Sequence, residues 1–212
     1  MDQEFLPQHI INDLEASLAT VTETKVMPFN LSSIFTLFFM QFFWYKWPIL
    51  SNTILNQSNW TYHTAFSIKR ATEALGLDCV YETMGRLDAV IQLPGEPPQT
   101  ILYAEWEARY QSVFGEGKEL DKLWQGASQN QGTNALLITY CPLEEYGPFL
   151  RDITEYWQNK DKRRKKRPVL FVVTILYQVN KNLHAFHTIS GTEIHKEGVK
   201  IWGSFDENKA IY

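Results

Sequence analysis

The sequence predicts an α/β fold in which helices flank a mixed central sheet. Three observations carry this expectation. From Tyr62 onward, segments of helical periodicity alternate with segments of strand character. Two continuous apolar runs, NALLITY (134–140) and PVLFVVTILYQV (168–179), read as strands buried on both faces. The string PGEPP (94–98) cannot continue a central strand, so it turns the chain between two strand-like segments and makes them antiparallel neighbours. Helices interleaved with such strands imply a mixed sheet covered by helices.

The elements follow in order. Glu4 to Thr20 reads as a helix, with Phe5, Ile10, Ile11, Leu14 and Leu18 near the helical period and Pro7 in its first turn. After Pro28 and Asn30 comes an aromatic helix, Ile34 to Tyr45, closed by Pro48. Asn52 to Trp60 is loop-like. Tyr62 to Leu75 is a helix with Phe66, Ile68, Ala71 and Leu75 toward the core and Gly76 as its cap. Leu77 to Thr83, Leu87 to Leu93 and Thr100 to Ala108 are strands. Lys118 to Ala127 is an amphipathic helix with Leu120, Leu123, Trp124 and Ala127 on one face. A strand (134–140), a helix from Pro148 to Gln158, a basic loop (160–167) and a long strand (168–179) follow, and the tail from Leu183 adds a strand or two. At 212 residues this is one structural domain. It divides into an N-terminal helical elaboration (1–60), a core (61–180) and a C-terminal strand extension (181–212).

Formal net charge is -4, but the positive charge is concentrated. KDKRRKKR (160–167) carries seven basic residues and one acid, leaving 13 basic against 23 acidic residues elsewhere. Such a run repels itself unless a polyanion meets it, which suits local contact with a phosphate backbone. Cys79 and Cys141 form no Cys-x-x-Cys pair, so neither structural zinc nor a disulfide framework is expected. The N-terminus MDQEFLPQHI lacks the basic and apolar regions of a secretion signal, which implies an intracellular, cytoplasmic protein. The apolar run Ile34 to Tyr45 is too short to span a bilayer, which takes roughly 20 residues, and reads as a buried helix or a dimer-forming face. No membrane partner is expected. The histidines pair with no serine or cysteine nucleophile, and His184 with His187 lacks the glutamate of a zinc protease.

The chemistry lies in GRLDAVIQLPGEPPQTILYAEWEARY (85–110). Asp88 opens one strand, and Glu105 and Glu107 share one side of its hairpin partner because residues i and i+2 of a strand project together. Three carboxylates converging on an apolar sheet repel one another, and a hard divalent cation resolves the conflict. Mg2+ suits the site because it takes carboxylate oxygens, keeps several waters and binds phosphate oxygens.

At these residues the sequence resembles the PD-(D/E)XK nucleases, whose core is helix, three strands, helix, strand, with the acids on the second and third strands. The likeness covers Tyr62 to Val179 by element order. Position 107 holds glutamate where the family places a lysine. That departure resembles the Glu-x-Glu variant of BamHI-type restriction endonucleases, in which a carboxylate helps orient or deprotonate the attacking water.

The resemblance implies a restriction-endonuclease-like fold and an endodeoxyribonuclease, restriction-type or phage- or defence-related, using Mg2+ with Mn2+ as a substitute. Asp88 and Glu105 would ligate the metal, and Glu107 would ligate it or act as base. Glu73 would be an auxiliary acid, with Glu82 the alternative. The partners implied are DNA and a second copy of the chain, since two-fold related sites cut two strands symmetrically. Lys118 and Lys122 on the following helix, and Lys162, Arg163, Arg164, Lys165, Lys166 and Arg167 of the basic run, are expected to contact phosphates. A nuclease fold that holds nucleic acid or a protein without cutting is the competing expectation.

Overall fold

The computed structural model describes residues 57–83, 87–130, 132–160, 167–180 and 183–206. The expected N-terminal helices, the aromatic segment Ile34 to Tyr45 and the basic residues 162–166 lie outside them.

Among the described residues three α-helices and seven strands follow one another as α1 (Gln57–Ala74), β1 (Asp78–Thr83), β2 (Leu87–Leu93), β3 (Gln99–Glu107), α2 (Glu119–Gln129), β4 (Asn134–Pro142), α3 (Tyr146–Asn159), β5 (Leu170–Asn180), β6 (Leu183–Ile194) and β7 (Val199–Asp206). They build one seven-stranded mixed sheet in which spatial order equals chain order. β1, β2 and β3 are antiparallel, β3, β4 and β5 are parallel, and β5, β6 and β7 are antiparallel again. The PGEPP turn joins β2 to β3 as expected, and the tail supplies two strands.

Connection rules explain the layering. The two parallel steps need crossovers, and crossovers of one hand that advance in one direction put their helices on the same face. Leu120, Leu123 and Ala127 of α2 accordingly share a core with Phe149, Ile153 and Trp157 of α3 and with Tyr103, Leu137 and Val172 of the sheet. α1 covers the opposite face. There the Trp60 ring meets Tyr140 edge-on at 5.3 Å, and the Tyr81 hydroxyl donates to the Ala65 carbonyl at 2.5 Å.

α1 departs from its expected form in two ways. It starts at Gln57, inside a stretch that reads as loop, because Trp60 is anchored in the core. Its buried stripe is Thr64, Ser67, Ile68, Ala71 and Thr72, while Phe66 is exposed. Thr72 satisfies its own buried hydroxyl on the Ile68 carbonyl at 3.0 Å. The helix ends as expected at Gly76, whose φ of 70° carries a Schellman turn: Gly76 N–H donates to the Glu73 carbonyl and Leu77 N–H to that of Thr72, each at 3.0 Å.

Gly126 has a different task. A Cβ there would lie 3.1 Å from Cδ2 of Tyr103 and 3.3 Å from Cδ1 of Leu87, so any side chain at this position makes Tyr103 and Leu87 give way. Gly126→Val is expected to destabilise the fold by about 1–3 kcal/mol through overpacking. A urea titration checks this, and an unchanged midpoint would mean that α2 has room to shift.

Candidate active site

Glu105 enters the site through strand alternation. Tyr103 packs under α2, so Glu105, two residues on, faces the same helix. Trp106 faces the other way, edge-on to Tyr81 at 6.4 Å. Ala89 pairs with Ala104 across β2 and β3, which sets Asp88 opposite Glu105 one step along. The Trp106 backbone N–H donates to Asp88 Oδ2 at 2.8 Å and fixes that carboxylate beside the strand.

From above, α2 contributes a cation. Lys122 Nζ lies 3.3 Å from Glu105 Oε2 and 3.5 Å from Glu119 Oε1. Glu119 and Lys122 are three residues apart on the helix and therefore neighbours on its surface. Asp88, Glu105, Glu119 and Lys122 thus form one cluster where the antiparallel and parallel parts of the sheet meet at β3.

Electrostatics follow from burial. Glu105 is 1% exposed. Burial, followed by the charge of Asp88, pushes its carboxyl up to about 9, against the opposing pull of Lys122. Asp88 is raised too, by burial, with the Trp106 N–H working in the other direction. Burial alone would lower Lys122, but the Glu105 and Glu119 charges outweigh it and hold the ammonium above its usual range. Without a divalent ion, the two strand carboxyls therefore do not both ionise at neutral pH.

The oxygens present suit a hard cation. Glu105 Oε1 and Glu119 Oε2 are buried with no hydrogen-bond partner, and such orphans mark a missing ligand or a strained group. Among the described residues no three histidine, cysteine or acidic side chains are grouped to ligate one ion. Asp88 and Glu105 alone match the habit of Mg2+, which is held by one or two carboxylates while water and phosphate oxygens complete its shell.

Of the other expected site residues, Glu73 and Lys118 fall elsewhere, Glu107 ends the strand that carries Glu105, and Lys122 belongs to the cluster. Glu107, half-buried at the end of β3, accepts the Arg109 backbone N–H at 3.0 Å. Glu73 is exposed on α1, across the sheet from the cluster, and pairs with Lys69 at 3.7 Å and Arg70 at 3.9 Å. It is thus separated from the acids it was expected to assist, because helix periodicity does not say which face of the sheet a helix covers. Lys118 is exposed just before α2. Lys122, expected on phosphate, is held by carboxylates.

Both ends of the basic run are tied to α2 on either side of Lys122. Lys160 pairs with Asp121, which also accepts the Tyr156 hydroxyl at 2.7 Å and the Gly117 N–H at 3.0 Å. Burial opposes the Asp121 charge, yet Lys160, Tyr156 and Gly117 together hold the carboxyl below its usual range. Arg167 donates through Nη1 to the Gln158 carbonyl at 2.8 Å and lies over the Trp124 ring at 5.2 Å, while its Nε and Nη2 are buried with no hydrogen-bond partner. Sequence reasoning missed Glu119 and Asp121. The available signal was the three-residue spacing of Glu119 and Lys122 on the helix that follows the acidic strand.

Among the described residues no helix is long and apolar enough to cross a membrane. Comparison of the chain with protein-family models, curated proteins and solved structures yields no match.

Proposed function

We propose that the chain is a metal-dependent endodeoxyribonuclease of the PD-(D/E)XK kind that hydrolyses phosphodiester bonds in double-stranded DNA. One observation carries the reading: two carboxylates on adjoining strands, Asp88 and Glu105, share a buried cluster with the Lys122 ammonium, 3.3 Å from Glu105. The order helix, three strands, helix, strand around them supports it.

In this reading Asp88 and Glu105 hold Mg2+, for which Mn2+ substitutes. The bound ion supplies an acidified water and positive charge against the phosphate. Lys122 supplies the ammonium that the family pattern seeks at position 107, now from the helix, and places it against developing negative charge. Glu107, on the same side of β3 as Glu105, accepts the proton of the attacking water. Lys118 and residues 162–166 contact the DNA backbone, and a second copy of the chain cuts the other strand.

A second reading, a nuclease fold that binds nucleic acid without cutting, draws on the same cluster, because Lys122 satisfies carboxylates that would otherwise await a metal. Incubation of plasmid DNA with the protein and Mg2+, with mapping of the ends, separates the two. The nuclease reading expects cleavage that chelation stops and that Glu105→Ala abolishes while the circular dichroism spectrum is retained. A Glu105→Ala protein that cuts at the wild-type rate removes the assignment.

A further inference from the structure

Around Lys122 each glutamate spends only half of its accepting capacity. Glu105 gives Oε2 and Glu119 gives Oε1 to the ammonium, while Glu105 Oε1 and Glu119 Oε2 stay buried and unpartnered. Glu105 keeps its proton up to about 9 and shares a hydrogen bond with Asp88, so the shortage of donors falls on the buried Glu119 Oε2, which the Lys122 ammonium beside it can supply. Lysine is suited to move within the cluster. Its ammonium is a compact charge with three donors on a flexible four-carbon stem, and Glu119 sits three residues earlier on the same helix, 3.5 Å from it.

We propose that Lys122 is a tethered counter-cation that exchanges with the divalent ion: it bridges Glu105 and Glu119 in the ion-free fold and retreats to Glu119 alone when an ion takes Glu105. The inference rests on the reading that Asp88 and Glu105 hold a divalent ion. Glu119 is then a positioning residue, the resting place of the displaced ammonium, and not a metal ligand. Exchange also couples two events. The N–H spent on Glu105 is released once the ion has arrived, so the loaded site offers the phosphate one donor more than the ion-free site. Competition lowers the apparent ion affinity by the fraction of molecules in which Lys122 occupies Glu105.

Titration calorimetry of the full chain with MnCl2 tests this on affinity alone, without DNA. Lys122→Met is expected to bind Mn2+ about tenfold more tightly than wild type, a difference of about 1.4 kcal/mol. Lys122→Gln serves as a second variant if the methionine protein folds poorly. Glu119→Gln is expected to weaken binding severalfold in the wild-type background, because the ammonium then stays on Glu105, and to have no effect in the Lys122→Met background. Weakening by the same factor in both backgrounds would make Glu119 a ligand and overturn the exchange. So would unchanged or weaker binding in both Lys122 variants while Glu105→Gln abolishes binding, an outcome that leaves the nuclease reading standing. Absence of Mn2+ binding in every variant removes the metal site itself and the exchange with it.

Discussion

Glu105→Gln is expected to lower Mg2+-dependent cleavage by about a thousandfold or more, a loss on the scale of removing one charge-stabilising group from an active site, and at the same time to stabilise the ion-free fold at neutral pH. The second half follows from linkage. Folded Glu105 keeps its proton up to about 9, whereas an unfolded glutamate loses it near its ordinary value of 4.5. Between those limits the native state binds more protons than the unfolded state, so wild-type stability falls as pH rises. Asp88, also raised, contributes with the same sign. The amide carries no such penalty. The slope of unfolding free energy against pH, measured by urea titration between about pH 5 and pH 8, is expected to be shallower in Glu105→Gln by about 1 kcal/mol per pH unit. Identical slopes would mean that Glu105 is ionised in the native protein. Loss of activity together with gain of stability is the pattern of a residue kept for chemistry.

Trp157→Ala is expected to destabilise the protein by about 3–5 kcal/mol, a large share of the 5–15 kcal/mol that domains of this kind possess. The side chain is 2% exposed, its indole N–H donates to the Pro168 carbonyl at 3.1 Å, and its ring stands edge-on to Trp124 at 5.1 Å. Truncation therefore opens a cavity, orphans a buried carbonyl and removes an aromatic contact at once. Trp124 is also the surface under Arg167, so the damage reaches the anchor of the basic run. An unfolding free energy, from urea titration, that fell by less than about 1 kcal/mol would show that α2 and α3 repack without it.

Much of the architecture was legible in the residues. PGEPP fixed the β2–β3 hairpin, and the apolar runs 134–140 and 168–179 gave the central strands, because strands covered on both faces must be apolar throughout. α1 was less legible. Ile68 and Ala71 are buried as their spacing implies, but Thr64, Ser67 and Thr72 share their stripe, and Phe66 is exposed. Thr72 can be buried because its hydroxyl bonds back to the Ile68 carbonyl, which hydrophobic periodicity does not weigh.

The acids divide in the same way. Asp88 and Glu105 meet because strand period and hairpin pairing are local rules that sequence reveals. Glu73 does not join them, and Glu119 does, because a helix's rotation and the face it covers are settled by tertiary packing. Lys122 was singled out for its position beside the site, but its partners were not, since a four-carbon stem can reach phosphate or carboxylate equally well.

The most direct test of the central claim is digestion of supercoiled plasmid by wild type and by Asp88→Asn across a Mg2+ titration. Asp88 shares the cluster with Glu105 and keeps the Trp106 N–H as a backbone anchor, so the amide is expected to fold. The account predicts cleavage that rises with Mg2+ in the wild type and is lost in Asp88→Asn at every concentration. Equal cleavage by both proteins, or cutting that persists in chelator, would contradict it.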